Sequence, residues 1–336
     1  MDNNSNFPNN PITESIQNQP QEKIKQYKLS FQGEGGEYFA IAVLNYILTV
    51  ITLGLYYPWA KVKKLKYLYS ATEFESSRLS FTGTGKEMFK GFIKAVFIFV
   101  ALYVILLGLI YIKLMVAGVI IFYVGFLLIF PMAIHGTYKY RMARTFWRGI
   151  RFGYTGDLGQ LFGIMIKGFL LTIVTLGIYG SWFAIDLRKY VVNHIKMGDL
   201  SFKYHGKGSE YFVIFLKGYL LSILTLGIYL FWFQRDLIRY YIDNLTLENE
   251  HGEKVTFKTQ ITVSQVVVLA ITNILLIVFT LGFGYSWVVI RSLKFLFNNI
   301  QIEGNLELNQ ISQVTTDYSN ATGDDLSDMM DIGVVL

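Results

Sequence analysis

The chain has no cysteine in 336 residues, which excludes disulfides and thiolate metal sites. Histidine is scarce: His135, His194, His205 and His251 are scattered, with no pair at helical spacing, so no histidine-built metal centre is expected. No serine or threonine stands in a nucleophile motif with a base at hand. Gly33-Glu34-Gly35-Gly36, Gly83-Thr84-Gly85 and Gly206-Lys207-Gly208 lack the Gly-Lys-Ser/Thr of a phosphate loop and read as turns. With no catalytic constellation the chain is not expected to be an enzyme, and no cofactor is implied. Charge is scarce as well. Charged residues make up 16% and apolar residues 53%, with mean hydropathy +0.40, so the chain lacks the polar surface that a soluble domain of this length needs.

The apolar residues gather over Tyr38–Trp59, Gly91–Ile112, Leu114–Ile134, Leu161–Ile185, Tyr211–Phe233 and Gln265–Ile290. Each run is close to the roughly 20 residues that span a hydrocarbon core, with Tyr and Trp at its ends. A polytopic helical membrane protein is the expectation.

One word recurs through these runs. TLGLYYPW starts at Thr52, TLGIYGSW at Thr175, TLGIYLFW at Thr225 and TLGFGYSW at Thr280. Eight residues after Trp59, Trp182 and Trp232 stand Tyr67, Tyr190 and Tyr240, and Phe295 holds that place after Trp287. Fixed spacing on both flanks marks an internal repeat. Units open with short Phe segments: LSFQGEGGEYF from Leu29, LSFTGTGKEMF from Leu79, LSFKYHGKGSEYF from Leu200, and looser copies from Ile150 and Val255. The second unit has no TLG. Placing Met132 in its Trp column puts Tyr140 in the Tyr column and leaves 23 extra residues, about one membrane helix.

The expected fold is an all-α integral membrane protein of tandem helix–turn–helix units. The F-x-G-x-G segments are brief strands or turns at the interface. The units run 29–78, 79–149, 150–199, 200–254 and 255–302, between a polar disordered tail over 1–28, with no signal peptide, and an acidic disordered tail over 303–336. Gly54, Gly177, Gly227 and Gly282 fit the left-handed position just past a helix end. Trp59, Trp182, Trp232 and Trp287 read as interfacial belt residues, and Gly168 and Gly218 as close helix contacts.

Between Leu29 and Ile302 there are 27 basic and 14 acidic residues, the excess following each Trp. Basic clusters beside apolar spans mark a cytoplasmic face and attract anionic lipids; nucleic acid is not an expected partner. Hydropathy alone gives one crossing per unit and two in the second, which would put alternate basic clusters on opposite sides. Charge requires an even number per unit. A helical hairpin with its tip at TLGIY satisfies the charge rule. Lys94, Lys167 and Lys217 each lie five residues after the second Phe of the motif, inside an apolar run. They either snorkel to the near interface or line a polar cavity. With Arg235 and Arg239 they are the candidate anion or lipid contacts.

The pattern F-x-G-x-G-x-x-x-F, then T-L-G-x-Y-x-x-W, then a basic stretch and Tyr, resembles the YjgN family of bacterial inner-membrane proteins, over about Leu29 to Ile300. Unit five departs from it, with Phe283-Gly284 for Ile-Tyr and no Gly pair. The resemblance implies a multi-pass protein of the bacterial inner membrane and brings no site residues. Two functions follow as expectations. The first is a transporter or channel-like protein, because repeated membrane units often enclose a polar path. The alternative is a structural or lipid-interacting envelope protein, because the sequence shows a basic face and no site.

Overall fold

The computed structural model describes residues 24–308 and residue 311. After a first strand, β1 (Lys25–Tyr27), the chain follows one order of elements five times: strand, helix, helix, strand. The first set is β2 (Leu29–Phe31), α1 (Gly35–Ile51), α2 (Tyr57–Ala71) and β3 (Thr72–Phe74). The second is β4 (Ser77–Phe81), α3 (Gly85–Tyr111), α4 (Met115–Ala143) and β5 (Thr145–Trp147). The third is β6 (Ile150–Tyr154), α5 (Leu158–Val174), α6 (Gly180–Asn193) and β7 (Ile195–Met197). The fourth is β8 (Leu200–Tyr204), α7 (Gly208–Leu224), α8 (Leu230–Asp243) and β9 (Leu245–Glu248). The fifth is β10 (Lys254–Thr259), α9 (Val263–Phe279), α10 (Tyr285–Asn298) and β11 (Ile300–Gly304).

The all-α expectation is therefore wrong. The segments expected to be brief strands or turns at the interface belong to one antiparallel sheet of eleven strands, ordered β1-β11-β10-β9-β8-β7-β6-β5-β4-β3-β2. The two ends of that order, β1 and β2, are separated in the chain by Lys28 alone. The sheet thus curls into a nearly closed barrel, and Lys28 pairs with Glu75 in both directions through its N–H and its carbonyl. Closure leaves no long free edge to pair with another chain. Residues 25–27 and 303–304, expected in the disordered tails, are barrel strands; most of both tails lies outside the described residues.

Period-two alternation builds the barrel interior. Leu29, Leu79, Ile150, Leu200 and Val255 share one face with the Phe two residues on, and cross-strand partners such as Trp147, Met197, Leu247 and Ile302 extend it. Tyr27, Trp147, Met197, Leu200, Leu247, Val255 and Ile302 form one buried cluster, although their strands are not all neighbours; the contacts run through the inside. Leu306, just past β11, folds into the same cluster, and the Tyr27 hydroxyl donates to its carbonyl at 2.6 Å. Burial raises the pKa of the Tyr27 phenol above its ordinary value. The opposite face of the strands carries Ser80, Arg151, Lys196, Lys203 and Glu303, so the barrel faces water on its outside.

Every helical pair joins two antiparallel neighbours, and so does every short loop after Lys28. All five helical hairpins therefore leave the barrel from one rim, and the strand-to-strand turns lie on the other. Two of those turns, Glu75-Ser76 and Arg148-Gly149, have positive φ at both residues, the two-residue form that matches strand twist.

Among the described residues only α3 and α4 are long and apolar enough to cross a membrane, whereas hydropathy alone gave six crossings. The runs in the other units do not continue through the TLG word. They break there into a helix of 17 residues and one of 14 or 15. A 17-residue helix is about 26 Å long.

Candidate functional site

The recurring residues hold the ring of hairpins together. Trp59 lies against Gly85 at the start of α3, Trp182 against Gly208 at the start of α7, and Trp287 against Gly35 at the start of α1; a Cβ on any of these glycines would overlap the indole. The same indoles meet Phe89, Phe212 and Phe39 with ring centroids 5.1, 5.1 and 5.0 Å apart. Each Trp thus packs on the opening of the next hairpin, and the last packs on the first. Trp232 meets no such Gly, since Val263 opens α9. The Trp column, read as a membrane belt, is in three of four copies a joint between hairpins.

The Tyr column fastens the foot of each hairpin. Tyr67 donates to the carbonyl of Glu34 at 2.9 Å, Tyr140 to Thr84 at 3.3 Å, Tyr190 to Asp157 at 2.6 Å and Tyr240 to Lys207 at 2.7 Å. Each acceptor is the N-cap of the first helix of its own hairpin. Tyr67 and Tyr190 also accept from the N–H of the same residue. The separation is 33 residues in three cases and 56 in the second hairpin, which places the 23 extra residues between foot and foot. Gly168 and Gly218 receive the rings of Phe183 and Phe233, where any Cβ would clash. In the first and fifth hairpins Asn45 and Asn273 hold the same place, reaching the Ala60 carbonyl and the Ser292 hydroxyl at 3.3 Å.

The tips carry the strongest local constraint. The Thr of TLG donates back to the helix carbonyl four residues earlier and accepts the N–H four residues later, as Thr225 does with Leu221 at 2.6 Å and Tyr229 at 2.9 Å. Gly54, Gly177, Gly227 and Gly282 have φ of 91° to 94°, as the sequence led us to expect. The Leu before each is left-handed too: Leu53, Leu176, Leu226 and Leu281 have φ of 49° to 51° and are 88% to 95% exposed. Lys113, φ 63°, holds this place at the tip of α3 and α4. The match is visible in the turn itself, because Lys113 and Leu114 donate to Ile110 and Leu109 as Leu53 and Gly54 donate to Val50 and Thr49.

Lys94, Lys167 and Lys217 are each the tenth residue of their helices, and all three are exposed. The tenth residue of α9 is Thr272, and Arg291 of α10 donates to its hydroxyl at 2.8 Å, which brings a guanidinium to that level. Leu44 is tenth in α1; there Lys63 of α2 lies 5.5 Å from the Tyr56 ring, as Lys217 lies 6.0 Å from the matching Tyr229. Each hairpin therefore carries a cation at one level, five in all: Lys63, Lys94, Lys167, Lys217 and Arg291. Arg235 lies one residue from the place that Lys63 and Arg291 take after their Trp, where hairpins three and four carry Asp186 and Asp236. Arg235 and Arg239 pair on their own helix, Arg235 with Asp236 at 2.7 Å and Arg239 with Asp243 at 3.3 Å.

Among the described residues no three His, Asp or Glu side chains converge on a point. Two cavities, of about 310 and 330 Å³, are apolar grooves near hairpin tips, one lined by Phe215, Gly218, Ile223 and Phe233 and the other by Thr52, Leu55, Trp59 and Phe89. The tip leucines stand in the TLG word, but nothing in the sequence signals their left-handed backbone. Arg291 and Lys63 had no signal either, because they replace the lysine from the opposite helix.

The family model described as "Bacterial protein of unknown function (DUF898)" matches residues 26–204, 199–251 and 238–329, nearly the whole ring. The chain belongs to the DUF898 family. Relatives include the inner membrane protein YjgN of Salmonella typhimurium, 29% identical over 171 residues that make up 47% of this chain and 42% of that protein. The YjgN proteins of Escherichia coli O157:H7 and K12 are 30% and 29% identical over 170 residues, 51% of this chain and 41% of theirs. The match thus covers less than half the length of these curated relatives. No solved structure matches the chain. This DUF898 chain stands among inner-membrane proteins of unknown molecular function.

Proposed function

We propose that the chain is a lipid-contacting protein of the inner membrane that crosses the bilayer twice, through α3 and α4, and seats its four short hairpins in the leaflet nearest the barrel. The observation that carries this is the residue at the left-handed tip. Four short hairpins place an exposed Leu there, and the long one places Lys113. Leu in this conformation costs roughly 1–2 kcal/mol, and an exposed Leu in water gains no packing in return. In hydrocarbon the Leu is at home, and the Lys belongs at the far interface.

The girdle sets the depth. From Lys167 or Lys217 to the helix end is seven residues, about 10 Å, which stays within one leaflet. From Lys94 to Lys113 is 19 residues, about 28 Å, close to the ~30 Å of a full hydrocarbon core. The girdle then lies at the phosphates of the near leaflet, where anionic headgroups are its partners. The basic second helices put that leaflet on the cytoplasmic side. The apolar packing inside the barrel favours this reading over the transport reading, which needs a polar path. The reading assigns the chain no catalytic step and no nucleic-acid partner.

The chain has no cysteine, so single cysteines report sidedness without background. In intact cells an impermeant thiol reagent should label Lys113→Cys and leave Leu176→Cys, Leu226→Cys, Ser70→Cys and Lys196→Cys unlabelled. Labelling of Leu176→Cys or Leu226→Cys from outside would show that the short hairpins cross, and the proposal would fall. For the headgroup role, Gln at all five girdle positions should lower the phosphatidylglycerol that copurifies with the chain; an unchanged amount would remove that role.

A further inference from the structure

The hairpins do not enter the bilayer symmetrically, and we infer that the chain acts as a wedge in one leaflet, partitioning to membrane that curves toward its barrel. This inference rests on the topology proposed above and adds a physical activity to it. Ten helices reach through the girdle level on the barrel side, but only α3 and α4 continue beyond the short tips. A helix with its side chains is about 10 Å across, on the order of 80 Å² in section. The near leaflet therefore accommodates on the order of 800 Å² of protein and the far leaflet on the order of 160 Å². The surplus is apolar to its end: Val174, Leu224 and Phe279, the last residues of α5, α7 and α9, are 77%, 76% and 81% exposed.

Rigidity makes the surplus effective. The feet are fastened by Tyr67, Tyr140, Tyr190 and Tyr240, and neighbouring hairpins by Trp59, Trp182 and Trp287. The barrel holds all of them on one rim, so the hairpins do not splay to relieve the packing of the lipids around them. Insertion confined to one leaflet is favoured where that leaflet is already expanded, on the convex side of a curved bilayer.

The test uses the full chain, labelled outside the ring and added from detergent to preformed phosphatidylcholine vesicles, so that the barrel stays outside. A thin tube is then drawn from a large vesicle. The density of the chain per unit area should be about twofold or more higher on the tube than on the vesicle. Glu in place of Leu53, Leu176, Leu226 and Leu281, introduced one hairpin at a time, should lower this ratio stepwise towards one while α3 and α4 keep the chain in the bilayer. The graded series guards against a quadruple variant that fails to fold. Equal density of the native chain on tube and vesicle would overturn the inference, and so would a ratio indifferent to the Glu series, which would assign sorting to α3 and α4. An environment-sensitive dye on Leu226→Cys separates the two readings. A dye in hydrocarbon with no sorting removes only the wedge, whereas a dye in water removes the topology beneath it. The five-Gln girdle variant should still sort in phosphatidylcholine, because the wedge needs no charge.

Discussion

At the scale of single residues, the TLG word divides its work three ways. Thr closes the end of one helix and opens the next turn through one hydroxyl. Gly takes a φ near +90° with open space around it at positions 54, 177 and 282. Leu takes a left-handed backbone that Asn tolerates far better. This gives a prediction whose sign depends on the surroundings. Leu226→Asn relieves roughly 1–2 kcal/mol of backbone strain, and on a water-facing turn it would raise stability. In a bilayer it sets an amide among acyl chains without a partner. In lipid nanodiscs the variant should melt below the native chain; a higher melting temperature would place the tips in water. The Gly of this word is legible in the sequence because a helix must end before it. The left-handed Leu is not, because a β-turn residue of that kind is ordinarily Gly or Asn.

At the scale of elements, the helical hairpins are legible and the strands are not. The hairpins announce themselves by apolar length, by the Gly that interrupts it and by basic residues that must share one side. The strands are three to six residues long, too short for alternation to be told from a turn, and their partners are set by the ring rather than by local pattern. Leu29-Ser30-Phe31 reads equally as a brief strand or a turn until β3 is beside it. The hairpin foot supplies a second prediction. Tyr190→Phe keeps the ring and loses both bonds to Asp157, so the third hairpin should lose about 1–3 kcal/mol. Unfolding midpoints in a fixed detergent would show it, and Phe295, which stands naturally in that column, gives the control: Phe295→Tyr should not destabilise.

At the scale of the whole molecule, closure is the organising fact. Hairpin five meets hairpin one through Trp287 on Gly35, and β11 is held between β10 and β1. A chain lacking residues 1–27 keeps every hairpin but opens the barrel beside β11. It should form oligomers through that edge and melt at a lower temperature, as size-exclusion chromatography and a thermal scan would report; an equally stable monomer would mean that β1 is dispensable. The pairing of Lys25 with Gly304 also says something about time. β1 waits for a partner, β11, that is made almost the whole ring later. Until then β1 has no strand to pair with and the growing sheet has two raw edges, at β2 and at its newest strand, while helices already emerged seek lipid. Folding of this kind is slow and exposed to mispairing. The cell that makes this protein must therefore shelter an open crescent at the membrane surface for as long as translation of the ring lasts.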